Sequence, residues 1–223
     1  MSPELAAATT TQTEAQVQTQ PTSAPGSWAS ASQTNLHTRG GTRYHSTSLA
    51  TGWAWATPDC QPRFGAEWQQ RQLASNPVLS GRYTGLSASW ACNQTNPLAR
   101  PTWRPTQWSI HLRSGQDQPT HSSRPGGTQR TTAMRATAHW PQWMAQAELT
   151  HTQDSSGYSP LLASNRVRRS TRALLRLEAW QPLPQWAPGL QAHWGLELDS
   201  QQSNLSLFNV NSHSVYAGLR KQW

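Results

Sequence analysis

The last residues of the chain, HSVYAGLRKQW at positions 213–223, alternate between two kinds of side chain. One parity is mostly apolar and comprises Val215, Ala217, Leu219, Lys221 and Trp223. The other parity holds Tyr216, Gly218, Arg220 and Gln222. Successive side chains of a β-strand point to opposite faces, so this stretch predicts a strand with one apolar and one polar face.

The same period of two continues upstream, where it predicts about ten strands. The candidate segments are 27–39, 42–57, 63–73, 79–92, 104–114, 130–140, 143–153, 170–181, 188–199 and 213–223. A membrane-crossing β-strand needs about 9–11 residues, whereas strands of soluble sheets run nearer 5 or 6. Most of the candidate segments have the greater length.

The links between these segments differ in length at the two ends of the predicted sheet. Long polar links occupy 115–129, 154–169 and 200–212, and short links occupy 141–142 and 182–188. Long loops on one side and short turns on the other are typical of outer-membrane barrels. The short links near 40–41 and 74–78 depart from this rule.

Composition excludes several classes of protein. Charged residues make up 13% of the 223 residues, yet 13 are Trp, which is too many for a disordered chain. No stretch approaches the roughly 18 apolar residues of a membrane-spanning helix. The net charge is +8, but the basic residues form no long run or known binding motif, so we expect no nucleic-acid partner.

The tryptophans provide a separate test of the barrel interpretation. When strand directions alternate, all 13 fall toward one boundary of the predicted wall, as interfacial aromatics do. A soluble β-sandwich predicts no such bias. We therefore expect an all-β, antiparallel up-and-down transmembrane β-barrel of about ten strands in residues 27–223. Residues 1–26 lack packing periodicity and a signal-peptide pattern, and predict a flexible, disordered tail or linker.

The C-terminal strand resembles the assembly signal of bacterial outer-membrane proteins. That signal ends on an aromatic residue, here Trp223, with Gly218 five residues before it, Tyr216 two residues earlier, and apolar alternate positions such as Leu219. Lys221 departs from the apolar pattern. The resemblance implies location in the bacterial outer membrane, contact with its lipid, and recognition by the barrel assembly machinery.

A longer stretch resembles the end of the surface lipoprotein assembly modifier family. The loop SNLSLFNV at 203–210 is similar to that family's closing loop, with Ser206 in place of Pro and Val210 in place of an aromatic. The hairpin 170–199 is also similar to its penultimate strands. Family members have a helical-repeat domain before a barrel of about fourteen strands. We therefore expect this chain to be a truncated or diverged member, with its barrel a fragment of a larger one, or another outer-membrane protein.

Two classes of function follow. The first is an outer-membrane barrel for transport or translocation, for which the family resemblance implies surface lipoprotein export, with lipoprotein clients or anionic solutes as partners. The alternative is a non-conducting structural or surface-adhesion barrel that acts through long extracellular loops. A soluble binding module is a third possibility.

The polar parity carries the candidate lumen charges. They are Arg135, Arg172, Arg176, Arg220, Glu148, Glu178 and Glu197. The interior of a barrel of about ten strands is narrow and mostly filled by side chains, so these charges must pair or stay hydrated. They predict either a ladder that braces the wall or a cationic constriction that favours anions.

The sequence predicts neither an enzyme nor a cofactor or metal site. His151, Asp154, Asp199 and His213 lie near the same ends of their strands, but no nucleophile motif surrounds them. Cys60 and Cys92 match no metal-ligand spacing. They allow one disulfide or two buried thiols, with strand 63–73 expected to lie between them.

Overall fold

The protein folds as one β-sheet. The computed structural model describes residues 9–18, 26–38, 41–55, 57–93, 104–159, 165–184, 187 and 189–221. The strands are β1 (Thr9–Gln18), β2 (Gly26–Thr38), β3 (Gly41–Ala54), β4 (Cys60–Leu73), β5 (Gly81–Asn93), β6 (Gln107–Pro119), β7 (Gln129–His139), β8 (Trp143–Gly157), β9 (Val167–Pro182), β10 (Leu190–Ser203) and β11 (Val210–Lys221). Short 3-10 turns occupy Pro77–Leu79 and Ser206–Phe208.

The strands follow one another in space as they do along the chain. Each strand pairs antiparallel with the next, in the order β1 to β11. The predicted all-β, antiparallel up-and-down architecture is therefore confirmed. In the described part of the chain β1 pairs only with β2 and β11 only with β10, so the sheet is open between its first and last strands. No helix in the described ranges has the length and hydropathy to cross a membrane.

Each of the ten predicted segments coincides with a strand, but several strands extend further than predicted. The links after β6, β8 and β10 shrink to 120–128, 158–166 and 204–209. Polar residues there continue the backbone ladder, as Ser200 does opposite Asn211. Ladder hydrogen bonds need no apolar face, so period-two hydropathy does not reveal them. We call this end of the sheet the loop end, and the end with links 140–142 and 183–189 the turn end.

The prediction of a disordered tail is wrong for residues 9–18. These residues form β1, which pairs along its whole length with β2, from Thr9 opposite His37 to Gln18 opposite Trp28. The sequence TTTQTEAQVQ alternates in period two, with Thr, Ala and Val on one parity and mostly Gln on the other. Thr and Val favour strands, but without large apolar residues the pattern resembles a polar linker.

One face of the sheet is apolar and exposed. Residues that stand opposite each other on neighbouring strands share a face, and the registers place the apolar parity of β3 to β11 on the same side. Val215 is 79% exposed and Leu86 69%. The large exposed residues on this apolar face are Leu49, Trp53, Phe64, Leu86, Trp90, Ile110, Leu112, Met134, Trp143, Leu149, Leu175, Leu177, Trp194, Leu198, Val215 and Leu219.

The opposite, polar face contains the buried polar groups. Asp117 and Asp154 are each 3% exposed, and Ser46 and Tyr83 are each 5% exposed. Soluble sheets bury their apolar face and expose the polar one. This sheet does the reverse, and the reversal extends across most of its width.

Candidate functional site

The polar face is the candidate site, because it holds every predicted lumen charge. Arg135 on β7 stands opposite Glu148 on β8, and the guanidinium and carboxylate lie 2.7 Å apart. Arg172 on β9 forms a two-point contact with Asp199 on β10, with nitrogen–oxygen distances of 2.8 and 2.6 Å. Planar guanidinium groups favour such bidentate contacts. Both pairs tie adjacent strands together.

A third contact spans three strands near the turn end. Arg176 donates to the carboxylate of its β9 neighbour Glu178, with Nε 2.8 Å from Oε1. The Tyr216 hydroxyl on β11 donates to the same oxygen. Tyr216, predicted as part of the assembly signal, therefore links the last strand to β9 across β10.

Two predicted lumen charges have no such partner. Glu197 stands opposite Arg176 in the ladder and Arg220 opposite Gln191. Neither forms an ion pair with another residue of the described ranges. Arg220 is exposed. Most of the charge on this face is therefore paired, which is the arrangement that wall bracing predicts.

The sequence did not single out the most buried charge cluster, which lies at the loop end around Asp117. Arg71 on β4 and Arg124 in loop 120–128 both donate to one carboxylate oxygen of Asp117, with the Arg124 nitrogen at 2.7 Å. Arg71 is 46 residues from Asp117 and reaches it through the register of β4 to β6, whereas Arg124 is seven residues away and reaches it through the fold of the loop. This cluster fastens loop 120–128 to the sheet.

A second buried carboxylate, Asp154 on β8, lies against the same loop at Gly126. Its Oδ1 accepts from Arg168 at 3.0 Å and from Gln129 at 3.1 Å. Gly126 lies against this carboxylate with a φ of +79°, a conformation that glycine adopts without strain. The Arg168 guanidinium also lies 4.8 Å from the centre of the Phe208 ring. Loops 120–128 and 204–209 are thus held near the polar face.

A further brace crosses the middle of the sheet at Glu67, Arg113 and Tyr83. The Arg113 Nε lies 2.8 Å from a Glu67 carboxylate oxygen. Its guanidinium carbon lies 3.9 Å from the centre of the Tyr83 ring, a cation–π contact. Glu67 on β4 and Arg113 on β6 both lie on the polar parity of their strands. The prediction of lumen charges missed them because it used only the strands with the clearest alternation.

Aromatic rings on the polar face lie over glycines of neighbouring strands. A Cβ added at Gly115 would lie 2.6 Å from Tyr83 Cζ, and one at Gly195 would lie 2.5 Å from the Tyr216 hydroxyl. Trp28 on β2 reaches across β3 and covers Gly65 on β4. Each ring fills space that a side chain would otherwise occupy, which packs this face tightly and helps to fix strand register.

Gly218 of the predicted assembly signal also lies on the polar face, where the His193 ring covers it. Leu219 is exposed on the apolar face. Trp223 lies outside the described residues. Of the four residues of the predicted assembly signal, the structure therefore locates Tyr216, Gly218 and Leu219, all on the last strand.

Most of the described tryptophans lie near the turn end. Trp140 and Trp143 stack there at 3.5 Å between ring centres, and the Trp180 indole donates to the Pro141 carbonyl at 3.0 Å. Trp68 contradicts the expected bias, because β4 begins at Cys60 and places it in the half nearer the loop end. Trp103, Trp186 and Trp223 lie outside the described residues.

Cys60 and Cys92 form a disulfide. They stand directly opposite each other on β4 and β5. The expectation that a strand lies between them is wrong, because β4 starts three residues earlier than the hydropathy pattern indicates. Pro62 interrupts that pattern without ending the ladder, since it pairs opposite Trp90.

The histidines and aspartates near the loop end do not form pairs. His151 and His213 lie on the apolar face, and the His151 Nδ1 is 3.1 Å from the Thr171 hydroxyl. Asp154 and Asp199 lie on the polar face and are occupied by arginines. Across the described ranges, no group of three or more His, Cys, Asp or Glu side chains could hold a metal ion.

Comparison with known proteins finds no relative. No protein-family model, no curated protein and no solved structure matches the chain. The fold and the two faces of the sheet are therefore the basis for inferring function.

Proposed function

We propose that this chain forms the wall of a β-barrel in the bacterial outer membrane and that the barrel serves transport or translocation. The observation that carries the proposal is the reversed burial of the sheet. Full burial of one large apolar side chain gains about 1.5–3 kcal/mol. Leaving the whole apolar face in water would therefore cost tens of kcal/mol, on the order of or above the total stability of a domain, about 5–15 kcal/mol.

A lipid environment removes this cost and explains the polar face as well. In a barrel the apolar parity faces lipid and the polar parity faces the lumen. The strands have 10 to 16 residues, long enough to cross the hydrocarbon layer. The open edges of β1 and β11 would have to be paired within the bilayer, since lipid offers no hydrogen bonds to a strand edge. The C-terminal resemblance supports export of surface lipoproteins as the particular form of this function.

The ion pairs favour a second candidate, a non-conducting structural or adhesion barrel. Arg135, Arg172 and Arg176 each have a carboxylate partner, so little free positive charge remains to attract anions. Loop 120–128 is fastened to the sheet at the loop end. A braced lumen with fastened loops is suited to presenting a surface rather than to passing solute.

Planar-bilayer recording of the refolded chain tests the transport proposal and separates the two candidates. Steady conductance with anion preference, reduced by Arg220→Glu, supports a channel, because Arg220 is the exposed lumen arginine without an ion pair. Arg104→Glu, in the link before β6, is the matched control and should leave the preference unchanged. Insertion without conductance supports the structural candidate. A chain that stays folded and monomeric in buffer and does not enter lipid would contradict both.

A further inference from the structure

Acidic side chains are confined to one face of the sheet. In strands β2 to β11 every acidic residue lies on the polar face: Glu67, Asp117, Glu148, Asp154, Glu178, Glu197 and Asp199. The apolar face has none in these strands. Any basic residue on the apolar face therefore lacks a carboxylate neighbour on its own side.

The apolar face nevertheless carries arginines, and they are found at the loop end. Arg82, Arg130 and Arg169 are exposed, and each is the second or third residue from the loop end of its strand. They occupy alternate strands, β5, β7 and β9. None of them forms an ion pair within the described ranges.

The order of residues inward from each arginine is the same on all three strands. On β5 the exposed face reads Arg82, Thr84 and Leu86. The corresponding series are Arg130, Thr132 and Met134 on β7, and Arg169, Thr171, Ala173 and Leu175 on β9. Along each series the side chains change from charged to hydroxyl-bearing to hydrocarbon. Polarity falls in the same order across a membrane, from the headgroups to the acyl chains.

On the intervening strands β6 and β8, glutamine side chains lie beside these arginines on the apolar face. Gln118 accepts a hydrogen bond from Arg82 at 2.9 Å. Gln153 stands between Arg130 and Arg169 in the ladder, opposite both. Strand spacing is about 4.8 Å, so the backbones of these two arginines are about 10 Å apart, and a donor-rich surface without acids lies between them.

We propose that Arg130 and Arg169, with Arg82 beside them, bind the phosphate groups of lipid headgroups in the leaflet next to the loop end. Guanidinium groups suit phosphate because their planar donors match its oxygens. Leu112, Met134 and Leu149 lie just inward of the arginines and would hold the acyl chains. The inference rests on the proposed insertion in a membrane and adds a lipid-binding site on the outside of the wall.

The test uses the full chain refolded into vesicles of neutral phosphatidylcholine containing a minor share of phosphatidic acid. The lipids that remain with the protein after extraction are measured by native mass spectrometry. The parent should retain phosphatidic acid in preference to phosphatidylcholine. Arg130→Gln with Arg169→Gln should reduce that preference by about five-fold for each arginine, and high salt should weaken it.

The matched control, Arg63→Gln with Arg220→Gln, removes the same charge from the polar face and should keep the preference. Equal loss in both double variants would overturn the site in favour of general charge attraction. Competition by free inorganic phosphate would overturn the lipid as ligand. A parent that inserts but shows no preference would overturn the inference alone, whereas a parent that does not insert would overturn the proposed function with it.

Discussion

The two faces of this sheet solve different physical problems with the same backbone. The polar face is held by specific contacts, such as the Asp117 cluster and the bidentate Arg172–Asp199 pair. The apolar face consists largely of exposed Leu, Val, Met and Trp side chains, whose contact with water is unfavourable. The comparison indicates that contacts on the polar face fix the arrangement of the strands, whereas the hydrophobicity of the apolar face determines which solvent the sheet tolerates. Substitutions on the two faces should therefore fail in different ways.

The largest effect should come from the buried carboxylate at the loop end. Asp117→Asn leaves Arg71 and Arg124 without their shared anion, and breaking a buried pair in this way costs about 3–5 kcal/mol. Chemical unfolding of the refolded protein in detergent measures the loss. The neighbouring exposed residue offers a control, since Gln116→Ala should change the free energy of unfolding by less than about 0.5 kcal/mol. Equal effects at the two positions would contradict the distinction between the faces.

A smaller effect, and one that depends on lipid, is expected at the middle of the apolar face. Leu175→Arg places a charge in the proposed hydrocarbon layer and should destabilise the protein in bilayers by about 2–4 kcal/mol. Leu207 lies in the 3-10 turn at the loop end and is 68% exposed, so Leu207→Arg should have little effect. Unfolding titrations in vesicles provide the comparison. Similar tolerance of arginine at both sites would mean that residue 175 does not face lipid.

The glycine–aromatic contacts should have a moderate effect that is specific to the polar face. Gly195→Ala brings a methyl group against the Tyr216 ring and should cost about 1–3 kcal/mol. Combined with Tyr216→Ala, it should cost less than the sum of the two single changes, because the obstructing ring is gone. A double-mutant cycle on the free energy of unfolding measures the coupling, and additive effects would show that the ring does not pack on Gly195.

The smallest effect is expected at Arg220 on the polar face, which forms no ion pair with another described residue. Arg220→Gln removes an exposed charge without an ion pair and should change the free energy of unfolding by no more than about 0.5 kcal/mol. Arg172→Gln should cost more, because it leaves Asp199 without its partner. Parallel unfolding curves rank the two variants. The reverse order would mean that Arg220 is part of the brace.

Hydropathy alone sufficed for the strands that carry large apolar residues. β7 to β10 follow the predicted segments closely at the turn end, since Trp, Leu and Met mark their apolar parity. β1 was missed because neither of its parities carries a large apolar residue. The extensions of β6, β8 and β10 were missed because a ladder of polar residues leaves no apolar signal.

The site could be predicted only where its contacts lie on adjacent, regular strands. Arg135 and Glu148 face each other across a short turn, so parity alone places them together. Asp117 meets Arg71 and Arg124 through the register of non-adjacent strands and a folded loop, neither of which the sequence reveals. Predicting the Cys60–Cys92 disulfide required knowing that β4 begins at Cys60. The hydropathy pattern placed the start at residue 63, because Pro62 interrupts it.

The central claim is that the apolar face of the sheet faces lipid, and it can be tested residue by residue along β9. A photo-crosslinking amino acid is placed singly at each position from 172 to 179 in the chain refolded into vesicles, and lipid adducts are measured by mass spectrometry. Adducts are expected at Ala173, Leu175, Leu177 and Ala179 and not at the positions between them. Adduct yields without this alternation, or highest at the even positions, would contradict the claim.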